Sequence, residues 1–284
     1  MNTTFVVLND GIIPATEAFI NISDLSIQRG YGIFDFFKLV DGRPIFLDDH
    51  LDRFYNSAEQ MRLPVQQNRE QLKDLLISLI SKNNLPNSGI RITLTGGYSP
   101  DGFSIAAPNL LITQQAFKAN FDIASTGIRL VSYSHQRQFA HVKTIDYLMA
   151  IWLKDYVAEN KADDVLYQHN GIIAECPRAN IFVVSADGNL LTPGNNILKG
   201  VIRKQVLSLA RTRYKVEERD IGLDELYSAK EVFITSSTKN ILPVVQVDGH
   251  RIADGKPGQT TISLLEELLQ IISRPTNLAE IESK

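Results

Sequence analysis

A glycine-led segment and a hydroxyl cluster in the second half of the chain have the composition of a phosphate site. The segment LKGVIRKQVL (198–207) places Gly200 just before residues whose apolar members recur at helical spacing. Free N–H groups and the helix dipole at such a helix start favour a bound phosphate. The cluster TSST (235–238) follows the apolar strand-like residues EVFI and adds hydroxyl donors. Both patterns also occur in ordinary turns, so neither predicts a site when taken alone.

A lysine precedes another apolar-periodic stretch. Lys143 lies in HVKTIDYL (141–148), just before a predicted helix. A partly desolvated lysine there has a lowered pKa, which frees its amine to act as a nucleophile. Most lysines are surface residues, so this feature gains weight only from its order relative to the phosphate-like segments.

Other common catalytic patterns are absent from the sequence. It contains no GxxxxGK[ST], GxGxxG, HExxH or GxSxG element, which disfavours P-loop enzymes, dinucleotide oxidoreductases, zinc proteases and α/β-hydrolases. One cysteine, Cys176, excludes an internal disulfide and a cysteine-cage metal site. The histidines show no metal-ligand spacing and are predicted to be structural or surface residues; they are His50, His135, His141, His169 and His250.

The elements that must position these residues form an irregular mixture of strands and helices. The lack of strict strand–helix alternation predicts a two-domain α+β fold over a Rossmann fold. Residues 117–128 show neither periodicity and are interpreted as an interdomain loop between an N-terminal domain, 1–116, and a C-terminal domain, 129–284. Strands are predicted at 5–8, 33–40, 90–97, 109–115, near 129–134, and at 231–237 and 241–247; helices are predicted at 48–62, 69–82, near 146–159, from 200 to about 213, and at about 258–272.

Composition excludes several classes of protein. The chain has 284 residues, of which 44% are apolar and 21% charged, as in ordinary globular proteins. The net charge of −3 gives no electrostatic basis for binding nucleic acid. No apolar run is long enough to cross a membrane, and the start MNTTFVVLNDG lacks the features of a secretory signal. Together with the single cysteine, this predicts a cytoplasmic protein.

Five ordered segments resemble the fold-type IV (class IV) aminotransferases, which use pyridoxal 5′-phosphate. The family includes D-amino-acid aminotransferases, branched-chain aminotransferases and aminodeoxychorismate lyases. The C-terminal segment is most similar to the D-amino-acid enzymes. The matching segments are RGYGIFDFFKLVDGRPIFLDDHLDRFYNSAEQMRLP (29–64), KTIDYL (143–148), GIIAECPRANIFVV (171–184), ILKGVIRKQVL (197–207) and FITSSTKNILPVVQVDGHRIADGKPG (233–258).

The resemblance implies roles around the reactive part of the cofactor. Lys143 matches the lysine that forms a Schiff base with the cofactor and moves the proton between the substrate carbon and the cofactor. Glu175 matches the carboxylate that keeps the pyridine nitrogen protonated. Tyr147 matches a tyrosine that, in some members, reaches the cofactor's phenolic oxygen.

The resemblance also implies a phosphate cup and a ring contact. Arg53 matches the phosphate arginine, whose forked guanidinium suits that role. The backbone N–H groups of Val201 and Ile202 and the hydroxyl of Ser237 complete the cup, and Leu198 matches the leucine that packs on the ring.

Two departures from the family pattern change the local chemistry. The usual threonine of the G-[IV]-T-R motif is Ile202, so the cup loses a hydroxyl while keeping a backbone N–H. The usual E-G pair is Glu175-Cys176, and the cysteine is interpreted as a small packing residue.

The substrate pocket fits no subgroup cleanly. Familiar D-amino-acid enzymes bind the substrate carboxylate with an arginine and a histidine in the loop that corresponds to GGYSPDGFS (96–104), which has neither. Asp101 and Phe103 occupy roughly those places. Branched-chain enzymes resemble this chain at Phe34 and Arg91. At two positions further along, the branched-chain enzymes have a glycine and an arginine, whereas this chain has Phe36 and Lys38.

Some cation must nevertheless bind the substrate carboxylate, because a buried and unpaired carboxylate is strongly unfavourable. The motif positions bring Arg91, Arg29 (from the partner subunit) and Arg178 nearest the pocket, and two or three arginines would suit a dicarboxylic substrate pair. Surface or interface salt bridges are the alternative for Arg29 and Arg178. Phe34 and Thr238 complete the expected substrate-binding set.

The resemblance predicts a transaminase that moves an amino group between a D-amino acid and a 2-oxo acid such as 2-oxoglutarate or pyruvate. Its binding site for the substrate carboxylate would differ from that of the familiar D-amino-acid enzymes. A branched-chain L-amino-acid aminotransferase is the nearest alternative, and an aminodeoxychorismate lyase the next. Joint retention of Lys143, Glu175 and Arg53 argues against a non-catalytic cofactor-binding protein. The family also implies a homodimer with shared active sites.

Overall fold

The chain forms two β-sheets, one from the residues before the predicted linker and one from the linker's last residue onward. The computed structural model describes residues 4–117 and 126–274. Within those ranges, the strands up to residue 116 form one sheet and the strands from residue 128 onward form another. Most of the predicted linker, 117–128, lies outside the described residues, so the domain boundary stays a prediction. The mixed strand and helix order confirms the α+β prediction.

The first sheet is antiparallel and carries aromatic side chains on both faces of its nine-residue strand 32–40. In the described part of the chain its order is β2-β1-β6-β5-β3-β4. Because side chains alternate along a strand, Phe37 faces a buried core while Phe34 and Phe36 line a cavity. The strands are β1 (Phe5–Leu8), β2 (Gly11–Pro14), β3 (Gly32–Val40), β4 (Arg43–Pro44), β5 (Ser88–Thr95) and β6 (Leu110–Ala116).

Two amphipathic helices pack against the core face of this sheet. They are α2 (Leu47–Gln60) and α3 (Arg69–Asn83), which follow the short α1 (Leu25–Arg29). Asn68 begins α3 with a capping box, in which its side chain and that of Gln71 each bond the other's backbone N–H. Both predicted helices are confirmed. Their apolar faces bury Leu51, Phe54, Leu72, Leu76 and Leu79 against the sheet.

The second sheet mixes parallel and antiparallel pairs. In the described residues its main order is β13-β12-β11-β14-β15-β7-β8-β9, with β10 paired to β11 and β16 paired to β15. The strands are β7 (Ile128–Ser134), β8 (Asp164–His169), β9 (Ile172–Ile173), β10 (Glu175–Cys176), β11 (Ala179–Val184), β12 (Leu190–Thr192), β13 (Val216–Glu218), β14 (Glu231–Ser236), β15 (Asn240–Val247) and β16 (His250–Arg251).

Helices α6 (Val201–Ala210) and α8 (Gln259–Ser273) cover the second sheet, and α7 (Leu223–Tyr227) is a short connection. The core between α6, α8 and the sheet contains the stacked rings of Phe182 and Phe233, whose centroids are 5.0 Å apart. Helix α6 starts directly after Gly200, as predicted, but it ends at Ala210 rather than near residue 213.

The helix predicted near 146–159 is broken into two. The pieces are α4 (Leu148–Trp152) and α5 (Lys154–Glu159). The intervening Leu153 has φ −78° and ψ 2°, outside the helical region, and its side chain is fully buried with Val165 and Tyr167. Burial of this leucine turns the chain against β8, which the helical spacing alone did not indicate.

In residues 4–117 and 126–274, no helix is long and apolar enough to cross a membrane. The same residues contain no group of histidine, cysteine and carboxylate side chains arranged to hold a metal ion.

Candidate active site

A cavity of about 400 Å³ has walls from both sheets. Strands β3 and β5 form one side, and β10, β11, the end of β14 and the start of α6 form the other. Twelve of the thirteen predicted site residues line it: Phe34, Arg53, Arg91, Lys143, Tyr147, Glu175, Arg178, Leu198, Val201, Ile202, Ser237 and Thr238. The fold therefore brings together residues that are as far apart in the chain as Phe34 and Thr238.

Lys143 lies in the segment that crosses from β7 to α4. Its backbone carbonyl accepts a hydrogen bond from Phe34 N–H at 2.9 Å, which ties this segment to β3. Its Nζ lies 4.5 Å from the centroid of the Phe34 ring. Burial, followed by the nearby charge of Arg53, lowers the pKa of Lys143 to about 7. A substantial fraction of the amine is therefore neutral at pH 7 and able to act as a nucleophile.

Glu175 is a buried carboxylate held at two oxygens. Oε1 accepts from Arg137 Nη1 at 2.9 Å, and Oε2 accepts from the backbone N–H of Leu198 at 3.0 Å. Burial raises the pKa of Glu175, and the charge of Arg137 opposes that rise. Arg137 also donates to the carbonyl of Val142, so it connects the carboxylate to the lysine segment.

Arg53 reaches the cavity from α2 and is anchored by a carboxylate of β3. Its Nε and Nη2 each lie 2.8 Å from an oxygen of Asp35, which is fully buried. His50, one turn earlier on the helix, contacts the same carboxylate through Nδ1 at 2.7 Å. Burial of Asp35 raises its pKa, but the charges of Arg53 and His50 outweigh burial and lower it overall.

The start of α6 and the end of β14 present donors to the cavity. The N–H groups of Val201 and Ile202 are in the first turn of α6, where no intrahelical carbonyl can accept them. A Cβ on Gly200 would lie 2.2 Å from Asn180 Oδ1, so only glycine permits this approach. The Thr235 hydroxyl is buried and has no hydrogen-bond partner among the described residues.

The opposite part of the cavity contains two further arginines. The guanidinium of Arg91 lies 3.7 Å from the centroid of the Phe34 ring, and its Nε donates to Thr93 Oγ1 at 3.3 Å. Arg178 follows Glu175 by three residues and is exposed at the cavity wall. In the described part of the chain, neither guanidinium has a carboxylate partner.

Sequence comparison decides what kind of site this is. Residues 32–247 match the family described as amino-transferase class IV. The chain belongs to the class IV aminotransferases. It is a transaminase that uses pyridoxal 5′-phosphate, as the resemblance predicted.

Curated proteins that are similar to this chain include D-alanine aminotransferases. That of Listeria monocytogenes serotype 1/2a (strain 10403S) is 26% identical over 279 residues, covering 95% of this chain and 96% of the relative. That of Staphylococcus haemolyticus is 28% identical over 271 residues, covering 93% and 96%.

Solved structures of branched-chain amino acid aminotransferases share the fold. The enzyme from Escherichia coli is 23% identical, with a TM-score of 0.88 and coverage of 98% of this chain and 97% of that one. The enzyme from the thermophilic archaeon Thermoproteus uzoniensis, solved with norvaline, is 24% identical, with a TM-score of 0.84 and coverage of 95% of each chain. At this level of identity the likeness shows the fold-type IV architecture alone.

The cavity of this aminotransferase fits the cofactor at three points. The phosphate requires a cation and donors, and Arg53, two free N–H groups and the unpartnered hydroxyl of Thr235 are present. The aldehyde requires an amine and the ring nitrogen an anion, and the cavity lining contains the buried amine of Lys143 and the buried carboxylate of Glu175. Leu198 and Tyr147 also line the cavity.

Arg29 is the predicted residue that does not reach the cavity of its own chain. It ends α1, is exposed, and donates from Nη1 to the carbonyl of Gln28 at 2.9 Å. Its expected contribution to a partner's site stays a prediction. The loop 96–104 is closed by Asp101, which accepts hydrogen bonds from Ser99, Phe103 and Ser104 and offers no cation.

Three residues of the aminotransferase site were not found from the sequence. Arg137 lies in a stretch without periodicity, and Asp35 reads as one polar position in an aromatic strand. His50 was predicted to be a structural or surface residue, and its partner Asp35 was not identified. The usable signal was electrostatic: a predicted buried Glu175 and a predicted pocket Arg53 each require an opposite charge nearby.

Proposed function

We propose that this aminotransferase moves an amino group between a D-amino acid and a 2-oxo acid such as 2-oxoglutarate or pyruvate. The carrying observation is the division of the four cavity arginines. Arg53 and Arg137 are each neutralised by a buried carboxylate, whereas Arg91 and Arg178 have no acidic partner among the described residues. Two unneutralised guanidinium groups beside the reactive lysine match the carboxylates of an amino acid and of a dicarboxylic 2-oxo acid.

The D-amino-acid assignment is supported by the relatives. D-alanine aminotransferases align over nearly the whole chain. Because the loop 96–104 contains no arginine or histidine, the substrate carboxylate is bound elsewhere in our proposal, by Arg91 and, from the partner subunit, by Arg29, with Arg178, which has no acidic partner in the described ranges, as the next candidate.

The proposed division of labour follows from the contacts. The bound cofactor supplies an aldehyde and an electron-poor ring. Lys143 provides the amine that attaches to the cofactor and then holds the proton exchanged at the substrate carbon. Glu175 keeps a negative charge at the ring nitrogen, and Arg53, oriented by Asp35, binds the phosphate with the donors of α6 and Ser237.

A branched-chain L-amino-acid aminotransferase is the second candidate. The rings of Phe34 and Phe36 give the cavity an apolar lining that suits an aliphatic side chain. An aminodeoxychorismate lyase, which uses the same lysine and cofactor to eliminate pyruvate, is the third.

A half-reaction screen tests the proposal. Purified holoenzyme is mixed separately with D-alanine, D-glutamate, L-leucine and L-glutamate, and the loss of the cofactor absorption band is followed, with the Lys143→Ala variant as the inactive control. Rapid loss with a D-amino acid and restoration by 2-oxoglutarate supports the proposal. Reaction with L-leucine but neither D-amino acid overturns it in favour of the branched-chain activity, and pyruvate release from aminodeoxychorismate without an acceptor overturns it in favour of the lyase.

We also propose that the enzyme works as a cytoplasmic homodimer with shared sites. Exposed apolar side chains beside the lysine segment support a protein partner, since Leu148, Ile151 and Trp152 are 72%, 63% and 64% exposed. Light scattering of the purified enzyme tests this: a monomer at working concentration would contradict the shared site.

A further inference from the structure

One wall of the cavity is an aromatic ring that rests on a glycine. Phe36, on β3, lines the cavity and is half-buried. Gly89, on β5, pairs with Lys38 and is the diagonal neighbour of Phe36. A Cβ on Gly89 would lie 2.5 Å from Phe36 Cζ and 2.6 Å from Cε2, distances that real side chains do not reach. The ring therefore occupies the space that a side chain at position 89 would fill.

The backbone of Gly89 gives no other reason for glycine. The residue is inside a regular strand and lacks a positive φ, so any residue could adopt its conformation. Glycine weakens a strand, and it occurs in strand interiors where another group approaches closely. Here that group is the Phe36 ring, which also makes an edge-on contact with Phe117 at 6.4 Å between centroids.

The position of Phe36 relative to the reactive groups gives it a role. Phe34 lies close to both Lys143 Nζ and the Arg91 guanidinium. Phe36 is on the same face of β3, two residues further, which is roughly 7 Å along a strand. A substrate with its amine at Lys143 and its carboxylate at Arg91 thus has Phe34 beneath it and Phe36 beyond it.

We propose that Phe36, held in place by Gly89 and Phe117, is the end wall of the side-chain compartment and limits the length of the accepted amino acid. This inference rests on the proposed function only in that the substrate reacts at Lys143. It does not depend on whether the substrate is a D- or an L-amino acid.

Three variants test the end wall. Phe36→Ala opens the compartment, so the specificity constant should rise for longer donors relative to alanine, by about fourfold for each additional buried methylene. Gly89→Ala displaces the ring and should change the chain-length profile only while Phe36 is present. In the double variant the profile should therefore equal that of Phe36→Ala, a non-additivity that identifies direct contact.

The measurement uses a straight-chain series. Alanine, 2-aminobutyrate, norvaline and norleucine serve as donors for the holoenzyme, in the D or L configuration that reacts. The corresponding carboxylic acids, which lack an amine, are titrated calorimetrically to give a binding profile independent of turnover. Gly11→Ala is the matched control, because Gly11 is also in a strand and its added Cβ would meet neighbours only at 3.7 Å or more.

Two outcomes overturn the end wall. One is a Phe36→Ala profile parallel to wild type for both donors and carboxylic acids. The other is a Gly89→Ala effect of equal size with and without Phe36. If no amino acid of either configuration bleaches the cofactor, the proposed function fails, and the carboxylic-acid series still decides the role of Phe36.

Discussion

Burial of the Lys143 amine, more than the charges of the two arginines and two carboxylates near it, sets its lowered pKa and so its reactivity. Because its pKa is lowered to about 7, the amine is mostly neutral above that pH and mostly protonated below it. We expect the rate at which apoprotein attaches the cofactor to fall as pH drops from 8 to 6. Stopped-flow absorbance across this range checks it. A flat profile would contradict the lowered pKa, and Lys143→Ala, which should bind the cofactor without attaching it, is the control.

Glu175 and Arg137 form the second buried charge pair. Glu175→Gln keeps the shape but removes the negative charge that we propose faces the ring nitrogen, so turnover should fall much more than cofactor affinity. Near-normal turnover of the Glu175→Gln enzyme would contradict the role proposed for Glu175 at the ring nitrogen.

The contact of Arg137 with Glu175 leads to a separate prediction about how turnover depends on pH. Burial already raises the pKa of Glu175, and Arg137 opposes that rise. The ionised carboxylate is present above this pKa and is lost as pH falls through it. Replacing Arg137 by methionine should therefore move the acid limb of the rate profile to higher pH. A profile that only drops in height would show that Arg137 has a structural role alone.

At the scale of elements, the contact between β3 and α2 positions Arg53, the residue that we propose binds the cofactor phosphate. Asp35 alternates with Phe34 and Phe36 along β3, so its carboxylate points away from these two rings and meets Arg53 on α2. Charged hydrogen bonds contribute roughly 1.5–3 kcal/mol each. We expect Asp35→Asn to weaken cofactor binding by about 10-fold or more.

The measurement is titration of apoprotein with cofactor, repeated with inorganic phosphate as competitor. Asp48→Asn is a matched control, because Asp48 is on the same helix as Arg53 but its carboxylate contacts Arg69 and Lys73 instead. Equal affinities for Asp35→Asn and wild type would show that Arg53 needs no anchor.

At the scale of the whole molecule, we propose that the two arginines that bind the substrate carboxylate, Arg91 and Arg29, come from different chains of a dimer. Arg91→Ala and Arg29→Ala should each raise the KM by about 10- to 100-fold without changing the cofactor spectrum. Wild-type saturation curves in both variants would indicate that Arg178, and neither Arg91 nor Arg29, binds the substrate carboxylate. A loss confined to 2-oxoglutarate would identify that arginine as the partner of the second carboxylate.

A mixed dimer separates the two chains. Lys143→Ala and Arg29→Ala subunits are unfolded together and reassembled. If Arg29 serves the partner's site, each mixed dimer regains one intact site, and activity returns. If Arg29 acts in its own chain, no intact site forms, and mixing restores nothing.

The sequence by itself determined the order of the elements and most of the cavity residues. Apolar spacing located helices α2 and α3 and strands β3 and β5 to within a few residues, because these segments bury one face or alternate sides. Motif order placed Lys143, Glu175 and Gly200. This works because their chemistry depends on residue type and on local backbone shape, both of which are written in short segments.

Only the tertiary structure decided which charges neutralise each other. Asp35 and Arg53 are on different elements, as are Arg137 and Glu175, and no local pattern encodes such contacts. The break at Leu153 arises from burial against β8, and the glycine at position 89 is explained by the ring of Phe36 across the sheet. These features depend on distances between segments far apart in the chain, so they follow from packing and not from spacing.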